Sequence, residues 1–208
     1  NVEVTEPFWF RDEFGEDSLG RYVMSSGFTR DTANSCLKNT TNNQTVWLNL
    51  ANTRLEEIVA SFKFPGVHCP GGIKFHGDAS ASHNQSFVGN HQKGYLLRWG
   101  GVNCALDVLK YDNLSTGTPT SLKSFGNVDT TIDPMAIYQI KISHDGNGTY
   151  TISVSKNGGE YVVKGSFTDT TWTSGHTGIA SDTTTSFEVH DLQISGTRVY
   201  QKPIHRGA

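Results

Sequence analysis

The stretch YQIKISHDGNGTYTISVSKNGG, residues 138–159, decides the fold class of this chain. In AIYQIKIS (136–143), apolar side chains alternate with polar ones, which is the period of a half-buried β-strand. The turn DGNG (145–148) follows, and TYTISVS (149–155) then repeats the alternation. A Gly- and Asn-rich turn between two alternating segments is a strong hairpin signal. This part of the chain is therefore predicted to form two antiparallel strands.

Segments of the same character continue on both sides of this hairpin. YLLRW (95–99) and ALDVLKY (105–111) are predicted to pair around the turn GGVN, and IVASFKF (58–64) is predicted to be a strand rather than a helix. The pattern gives roughly a dozen strands with almost no helical period, and such strands bury their faces sheet against sheet. We therefore predict an all-β, two-sheet antiparallel sandwich, with residues 1–208 as one domain and 197–208 as a C-terminal tail.

The composition restricts the classes of function. The 208 residues carry a net charge of −3 without a basic cluster, so no nucleic-acid partner is expected. No apolar run approaches the length that spans a bilayer, so no membrane partner is expected either. The three cysteines, Cys36, Cys69 and Cys104, form no C-x-x-C pair, which argues against a structural zinc site. Buried thiols are slightly favoured over one disulfide with a free thiol.

The order of the predicted strands resembles the concanavalin A-like lectin/glucanase superfamily, in its laminin-G-like jelly-roll branch. The similarity spans nearly the whole chain and rests on an ordered set of segments: FRDEF, EEIVASFKFPG, GYLLRWGG, LDVLKYDN, YQIKISHDGNGTYTISVSKNGG, SFTDTTWTSGHTGIAS and FEVHDLQIS. It implies a jelly-roll β-sandwich. This fold hosts lectins, hydrolases, lyases and structural modules, so the resemblance does not by itself decide the function.

The resemblance also implies a structural calcium ion (Ca²⁺) between the first and last strands. FRDEF and FEVHDLQIS are expected to lie side by side, and the matching acids are Asp12, Glu13 and Asp191. Calcium prefers roughly six to eight hard oxygens, which carboxylates and carbonyls supply. The chain departs from the usual acidic pair because His190, a poor calcium ligand, precedes Asp191. The alternative is that these acids are solvated or accept hydrogen bonds within turns.

The sequence lacks the motifs of catalytic members of this superfamily. Retaining glucanases carry an E-x-D-x-x-E strand, and jelly-roll polysaccharide lyases carry an Arg-x-Glu-x-Arg strand and a Gln-x-His strand, none of which occurs here. Adjacent Glu56 and Glu57 are expected on opposite faces of a strand, which does not suit a carboxylate pair around one glycosidic bond. A non-catalytic protein is therefore favoured over an enzyme.

Four of the histidines fall in residues 67–91, VHCPGGIKFHGDASASHNQSFVGNH, which is predicted to be a long loop beside GYLLRWGG. Long loops in compact domains often carry function. His76, Asp78 and His91 are the candidate ligand-binding residues of this segment. Its histidines, with Asp78 and Cys69, could also ligate a transition metal, and the alternative is that they face solvent.

Sugar binding needs aromatic faces for C–H-rich surfaces and planar hydrogen-bonding groups for hydroxyls. Tyr95 and Trp99 share one face of their predicted strand, and Arg98 lies on the other face. These three residues complete the candidate binding set. The alternative for Trp99 is a place in the hydrophobic core.

These observations predict a non-catalytic glycan-binding module that is secreted and acts outside the cell or on a particle surface, with a polysaccharide or glycan as its partner. One alternative is a structural or adhesive domain of a larger assembly, such as a virion surface or tail protein, whose partners are other protein chains. The other alternative is a polysaccharide lyase or glycoside hydrolase with an atypical site.

Overall fold

The structure, a computed structural model, describes residues 1–15, 19–24, 28–39, 44–48, 53–66, 71–77, 93–112, 119–181 and 187–203. These residues form fifteen β-strands and one 3-10 helix, and none of them belongs to a helix long and apolar enough to cross a membrane. The strands are β1 (Val2–Asp12), β2 (Tyr22–Met24), β3 (Phe28–Asp31), β4 (Cys36–Asn39), β5 (Gln44–Leu48), β6 (Thr53–Lys63), β7 (Gly71–Gly77), β8 (Gly94–Gly100), β9 (Ala105–Tyr111), β10 (Thr120–Asn127), β11 (Ile137–His144), β12 (Thr149–Lys156), β13 (Val162–Thr168), β14 (His176–Ser181) and β15 (Glu188–Lys202).

The strands form two antiparallel sheets packed face to face. The eight-stranded sheet has the order β13-β12-β11-β6-β15-β4-β3, with β1 paired to β15, and the seven-stranded sheet has the order β10-β9-β8-β7-β14-β5-β2. The predicted hairpin is β11–β12, with Ile142 opposite Ile152, and β8 pairs with β9 as the sequence indicated. The predicted jelly-roll β-sandwich is confirmed.

Aromatic side chains from both sheets form the centre of the core. Trp99 of β8 is fully buried, and its ring centroid lies 4.6 Å from that of Phe62 in β6, on the opposite sheet. The rings of Phe64 and Phe187 lie 5.8 Å and 5.6 Å from that of Trp99. Such ring pairs add stabilisation beyond the burial of their area. Trp99 therefore joins the two sheets.

The terminal strands meet as expected. β1 runs antiparallel along β15, with Phe10 opposite Ile194 and Val2 opposite Lys202. Residues 197–202, predicted to belong to a C-terminal tail, instead continue β15, because their backbone groups complete the ladder with β1. Residues 204–208 lie outside the described residues.

The structure also corrects the loop predicted around His76. Residues 71–77 form β7, between β14 and β8 of the seven-stranded sheet. The glycines that suggested a loop are required by close packing: a Cβ at Gly72 would lie 2.7 Å from the backbone oxygen of Leu97. The remainder of the predicted loop, residues 67–70 and 78–91, lies outside the described residues.

The cysteine prediction can be followed at two of the three positions. Cys36 is a buried free thiol and Cys104 is buried, as the sequence favoured, whereas Cys69 lies outside the described residues.

We expect Trp99→Ala to lower the free energy of unfolding by about 3–5 kcal/mol, because it leaves a cavity between the sheets. Trp99→Phe should cost clearly less. It keeps a ring in contact with its neighbours and removes an indole N–H that is buried without a hydrogen-bond partner among the described residues. Urea unfolding of both variants measures the difference. A Trp99→Ala variant as stable as the parent protein would contradict the core position.

Candidate functional site

The imidazole of His76, near the end of β7, connects the two sheets. Its Nε2 accepts a hydrogen bond from the backbone N–H of Leu55 in β6, at 3.3 Å. Its Nδ1 therefore carries the proton and donates to the carbonyl oxygen of Trp172, at 2.9 Å, with the Tyr150 hydroxyl 3.1 Å away. His76 is only 1% exposed. It is a buried structural residue, so the prediction that it binds a ligand from a loop is corrected.

A second imidazole, that of His144, binds the other backbone group of Leu55. His144 Nδ1 donates to the Leu55 carbonyl oxygen at 2.9 Å, and Nε2 accepts a hydrogen bond from the N–H of Gly148 at 3.0 Å. The hairpin turn of residues 145–148 is thereby fixed against β6.

The β6–β15 ladder is irregular beside Leu55. Ser195 lies opposite Glu57, but the next residue, Gly196, lies opposite Leu55. Glu56 is therefore the extra residue of a β-bulge. Its exposed side chain lines a cavity at this end of the sandwich.

Asp169, in the loop after β13, receives several hydrogen bonds at the same end. The Tyr95 hydroxyl donates to its Oδ1 at 2.6 Å, the Thr171 N–H donates to the same oxygen at 2.8 Å, and Lys110 Nζ lies 3.2 Å from Oδ2. Burial raises the pKa of Asp169, but the hydrogen bonds, from Tyr95 first, outweigh it and lower this pKa to about 2. Asp169 is thus ionised at neutral pH.

These elements enclose a cavity of about 540 Å³, which we call the end pocket. Its volume lies in the range of small-molecule sites, roughly 300–1,000 Å³. Tyr150 adds an aromatic ring to the lining, and the polar lining residues include Arg54, Glu56, His144, Asn147, Asp169 and Thr170. The side chains of Glu56 and Asn147 are exposed and form no hydrogen bond with the residues that the structure describes. They are therefore available to a ligand.

The aromatic part of the predicted binding set lies in the core. Trp99 and Tyr95 are 0% and 1% exposed, so neither offers a ring face to a sugar. Alternation showed correctly that they share a face, but that face is the inner one. Leu96, on the outer face of β8, is fully buried as well, so the apolar pattern did not distinguish the two faces.

Within the described part of the chain, the predicted ligand-binding residues do not form one site. The rings of His76 and Tyr95 are brought together, with centroids 6.2 Å apart. Arg98 points to the other side of the sheet, where its Nη2 donates to Asp107 Oδ2 at 2.9 Å. Asp78 and His91 lie outside the described residues.

The first acid predicted to bind calcium is turned inward. Asp12 is 5% exposed, and its carboxylate accepts hydrogen bonds from the N–H of Phe14 and from the hydroxyl of Tyr22, both at 2.8 Å. Asp12 lies opposite Leu192, a core residue, in the β1–β15 ladder. The neighbouring Asp191 therefore points to the opposite face of the sheet.

On that outer face the other two acids are engaged by one arginine. Arg11 Nε lies 3.3 Å from Asp191 Oδ1, and Arg11 Nη2 lies 2.6 Å from Glu13 Oε1. The structure does not bring Asp12, Glu13 and Asp191 together, because one carboxylate is separated from the others by the sheet. These residues do not fit the calcium ion that the resemblance implied.

Two residues that line the end pocket, Glu56 and Asn147, were not among the candidate binding residues of the sequence analysis. Asn147 was interpreted as part of the DGNG turn and as the start of an N-x-[ST] sequence, and Glu56 as one of an adjacent acidic pair. The turn itself was the usable signal, since loops at the end of a sandwich often carry function. The signal for the bulge was the adjacent pair Glu56–Glu57 between apolar Leu55 and Ile58, which breaks strict alternation.

Comparison with known proteins gives similarity at the level of the fold. No protein-family model and no curated protein sequence matches the chain. Among solved structures, a protein of unknown function with a galectin-like fold from Bacillus subtilis has a TM-score of 0.66 and 12% identity, over 93% of this chain and 96% of that one. The exoplasmic/lumenal domain of VIP36, in a Ca²⁺/Man2-bound form, has a TM-score of 0.66 and 10% identity, over 94% and 90%.

An enzyme is also among the similar structures. The kappa-carrageenase from Pseudoalteromonas carrageenovora, in complex with an oligotetrasaccharide of kappa-carrageenan, has a TM-score of 0.56 and 13% identity, over 92% of this chain and 96% of that one. At these identities the likeness shows the fold alone. It supports the concanavalin A-like fold and does not single out the laminin-G-like branch.

The buried imidazole of His76 generates a pH dependence of stability. Burial lowers the pKa of His76 from 6.5 to about 4. The hydrogen bond to Trp172 opposes this shift, and the neighbouring His144 adds to it. The unfolded chain therefore binds more protons than the folded protein between these values. We expect the free energy of unfolding to fall as the pH falls through this window, by up to about 1.4 kcal/mol per pH unit.

Urea unfolding between pH 7 and pH 4 measures this slope. His76→Asn keeps a polar side chain that tolerates the left-handed backbone of this position, at φ 50°, but does not titrate. It should be less stable at pH 7 and show a flatter slope below pH 6.5, the ordinary His76 value. An unchanged slope would assign the pH dependence to other groups.

Proposed function

We propose that this chain is a non-catalytic glycan-binding module, secreted and acting outside the cell or on a particle surface, and that the end pocket holds the sugar. The observation that carries the proposal is the set of groups at the pocket rim. A carboxylate (Glu56), a primary amide (Asn147) and a guanidinium (Arg54) line the same cavity of about 540 Å³, together with threonine hydroxyls. Planar polar groups of this kind bind sugar hydroxyls in pairs.

The fold supports this proposal by analogy. VIP36 has been crystallised in a Man2-bound form and the carrageenase with an oligosaccharide, so sandwiches of this architecture accommodate sugars. The laminin-G-like branch remains our proposal from the order of the strands in the sequence. No step of the proposal requires calcium, because Asp12, Glu13 and Asp191 do not fit that ion.

The titratable groups behind the pocket support a binding role over catalysis. A general acid or base is most effective when its pKa lies near the working pH. Asp169, with a pKa of about 2, stays ionised and hydrogen-bonded, and His76, with a pKa of about 4, stays neutral and buried. Neither group is poised to move a proton to or from a glycosidic oxygen at neutral pH.

A glycan array followed by calorimetric titration of the best ligand tests the proposal. Glu56→Ala and Asn147→Ala should each raise the Kd about threefold to tenfold, the loss expected for one hydrogen bond. Melting temperatures should barely change, since both side chains are exposed and form no hydrogen bond with the described residues. The protein is best produced in bacteria, because Asn147 begins the N-glycosylation sequence NGT.

Asn127→Ala is the matched control. Asn127 is exposed at one end of β10, where it lies opposite Ala105. The other end of β10, where Thr120 lies opposite Lys110, is the end next to Asp169. The Asn127→Ala variant should bind the ligand with the same Kd as the parent protein. Equal affinity of all three variants would overturn the end pocket as the site, and release of sugar products from any tested polysaccharide would overturn the non-catalytic role.

A further inference from the structure

Outside the end pocket, Cys36, Glu188 and His190 converge on the outer face of the eight-stranded sheet. Val189 of β15 lies opposite Leu37 of β4, and both are core residues. The residues next to them therefore point outward, which places His190 beside Cys36 and Glu188 beside Lys38. The donor atoms of these three side chains all lie within 4.8 Å of one another. No other such group of three metal-ligating side chains occurs among the residues that the structure describes.

A β-bulge is the reason that His190 reaches this position. Val189 lies opposite Phe62 of β6, but the next paired residue, Asp191, lies opposite Ser61. His190 is therefore an extra residue, and it and Asp191 both point away from the core. The two side chains then separate: Asp191 pairs with Arg11, whereas His190 Nε2 lies 2.9 Å from Glu188 Oε2.

We propose that the thiolate of Cys36, the imidazole of His190 and the carboxylate of Glu188 bind a zinc ion or another borderline divalent transition metal, with solvent as the fourth ligand. One sulfur, one nitrogen and one oxygen form a donor set that zinc accepts in tetrahedral geometry. Tetrahedral zinc holds such donors about 3.4–3.6 Å apart, so ligands that already lie within 4.8 Å need only small movements.

The charges around the cluster agree with a cation. Metal binding requires Cys36 to lose its thiol proton, because the thiolate is the form that binds a metal. On binding, this proton leaves to solvent, and the thiolate and Glu188 together neutralise the divalent ion. Lys38 Nζ lies 2.6 Å from Asp31 Oδ2 and 3.3 Å from Glu188 Oε1. Lys38 thus orients the carboxylate through one oxygen and leaves Oε2 beside His190.

Cobalt titration of the reduced, untagged protein tests the site, because a cysteine ligand produces a thiolate-to-cobalt charge-transfer band. The wild type should bind one equivalent of Co²⁺ with this band, and Zn²⁺ should displace it. Cys36→Ala should remove the band. His190→Ala and Glu188→Gln should raise the Kd for cobalt by more than about tenfold, since even outer-shell changes have effects of that size. Zn²⁺ should raise the melting temperature of the wild type but not of His190→Ala.

Cys69→Ala is the control, since Cys69 belongs to the histidine-rich segment 67–91. Retention of the band in this variant supports the Cys36 site, and its loss overturns the proposal in favour of that segment. A wild type without any charge-transfer band also overturns it. Because Cys36 is fully buried, Cys36→Ala could fail to fold. The His190→Ala variant is then the test, because the side chain of His190 is partly exposed. An unchanged Kd for cobalt in this variant rejects the site.

Discussion

The hydrogen bonds of the His76 imidazole hold together the end of the sandwich on which the pocket is built. His76 belongs to the seven-stranded sheet, yet it binds the N–H of Leu55 in the other sheet and the carbonyl oxygen of Trp172. Apolar side chains join the two sheets elsewhere, and their contacts are non-directional. His76 also has a φ of 50°, a backbone conformation that costs a non-glycine residue about 1–3 kcal/mol. A buried histidine persists in it because its neighbours satisfy both ring nitrogens.

Behind the pocket, polar groups are paired with one another before any ligand arrives. Tyr150 contacts His76, Tyr95 donates to Asp169, and the Tyr150 ring lies between two parallel neighbours, with its centroid 4.4 Å from that of His144 and 4.8 Å from that of Phe167. A wall of this kind is rigid, which reduces the entropy lost on binding. The groups left for a ligand are those at the rim. The same pairing keeps Asp169 ionised and His76 neutral at neutral pH.

Alternation and turns were sufficient to predict the strands, the main hairpin and the pairing of the chain ends, because these signals are local or follow from sheet closure. They could not decide which face of a strand is the inner one when both are apolar, as at Leu96 and Trp99 of β8. They also could not fix register. β1 and β15 do lie side by side, but Asp12 lies opposite Leu192 rather than Asp191, and an offset of one residue places two carboxylates on opposite faces.

Glu56 and His190, which carry the two proposed sites, depend on the same kind of irregularity. Each is the extra residue of a bulge in the β6–β15 ladder, one near either end of it. A bulge releases one side chain from strict alternation, so Glu56 reaches the end pocket, and His190 reaches Cys36 while Asp191 remains bound to Arg11. Each bulge interrupts the alternation with two adjacent polar residues, Glu56–Glu57 and His190–Asp191, but the sequence does not show the partner register that makes one of them the extra residue. Removing one residue at either bulge would restore continuous pairing, and it would withdraw a side chain from its proposed site while the rest of the sheet kept its hydrogen bonds.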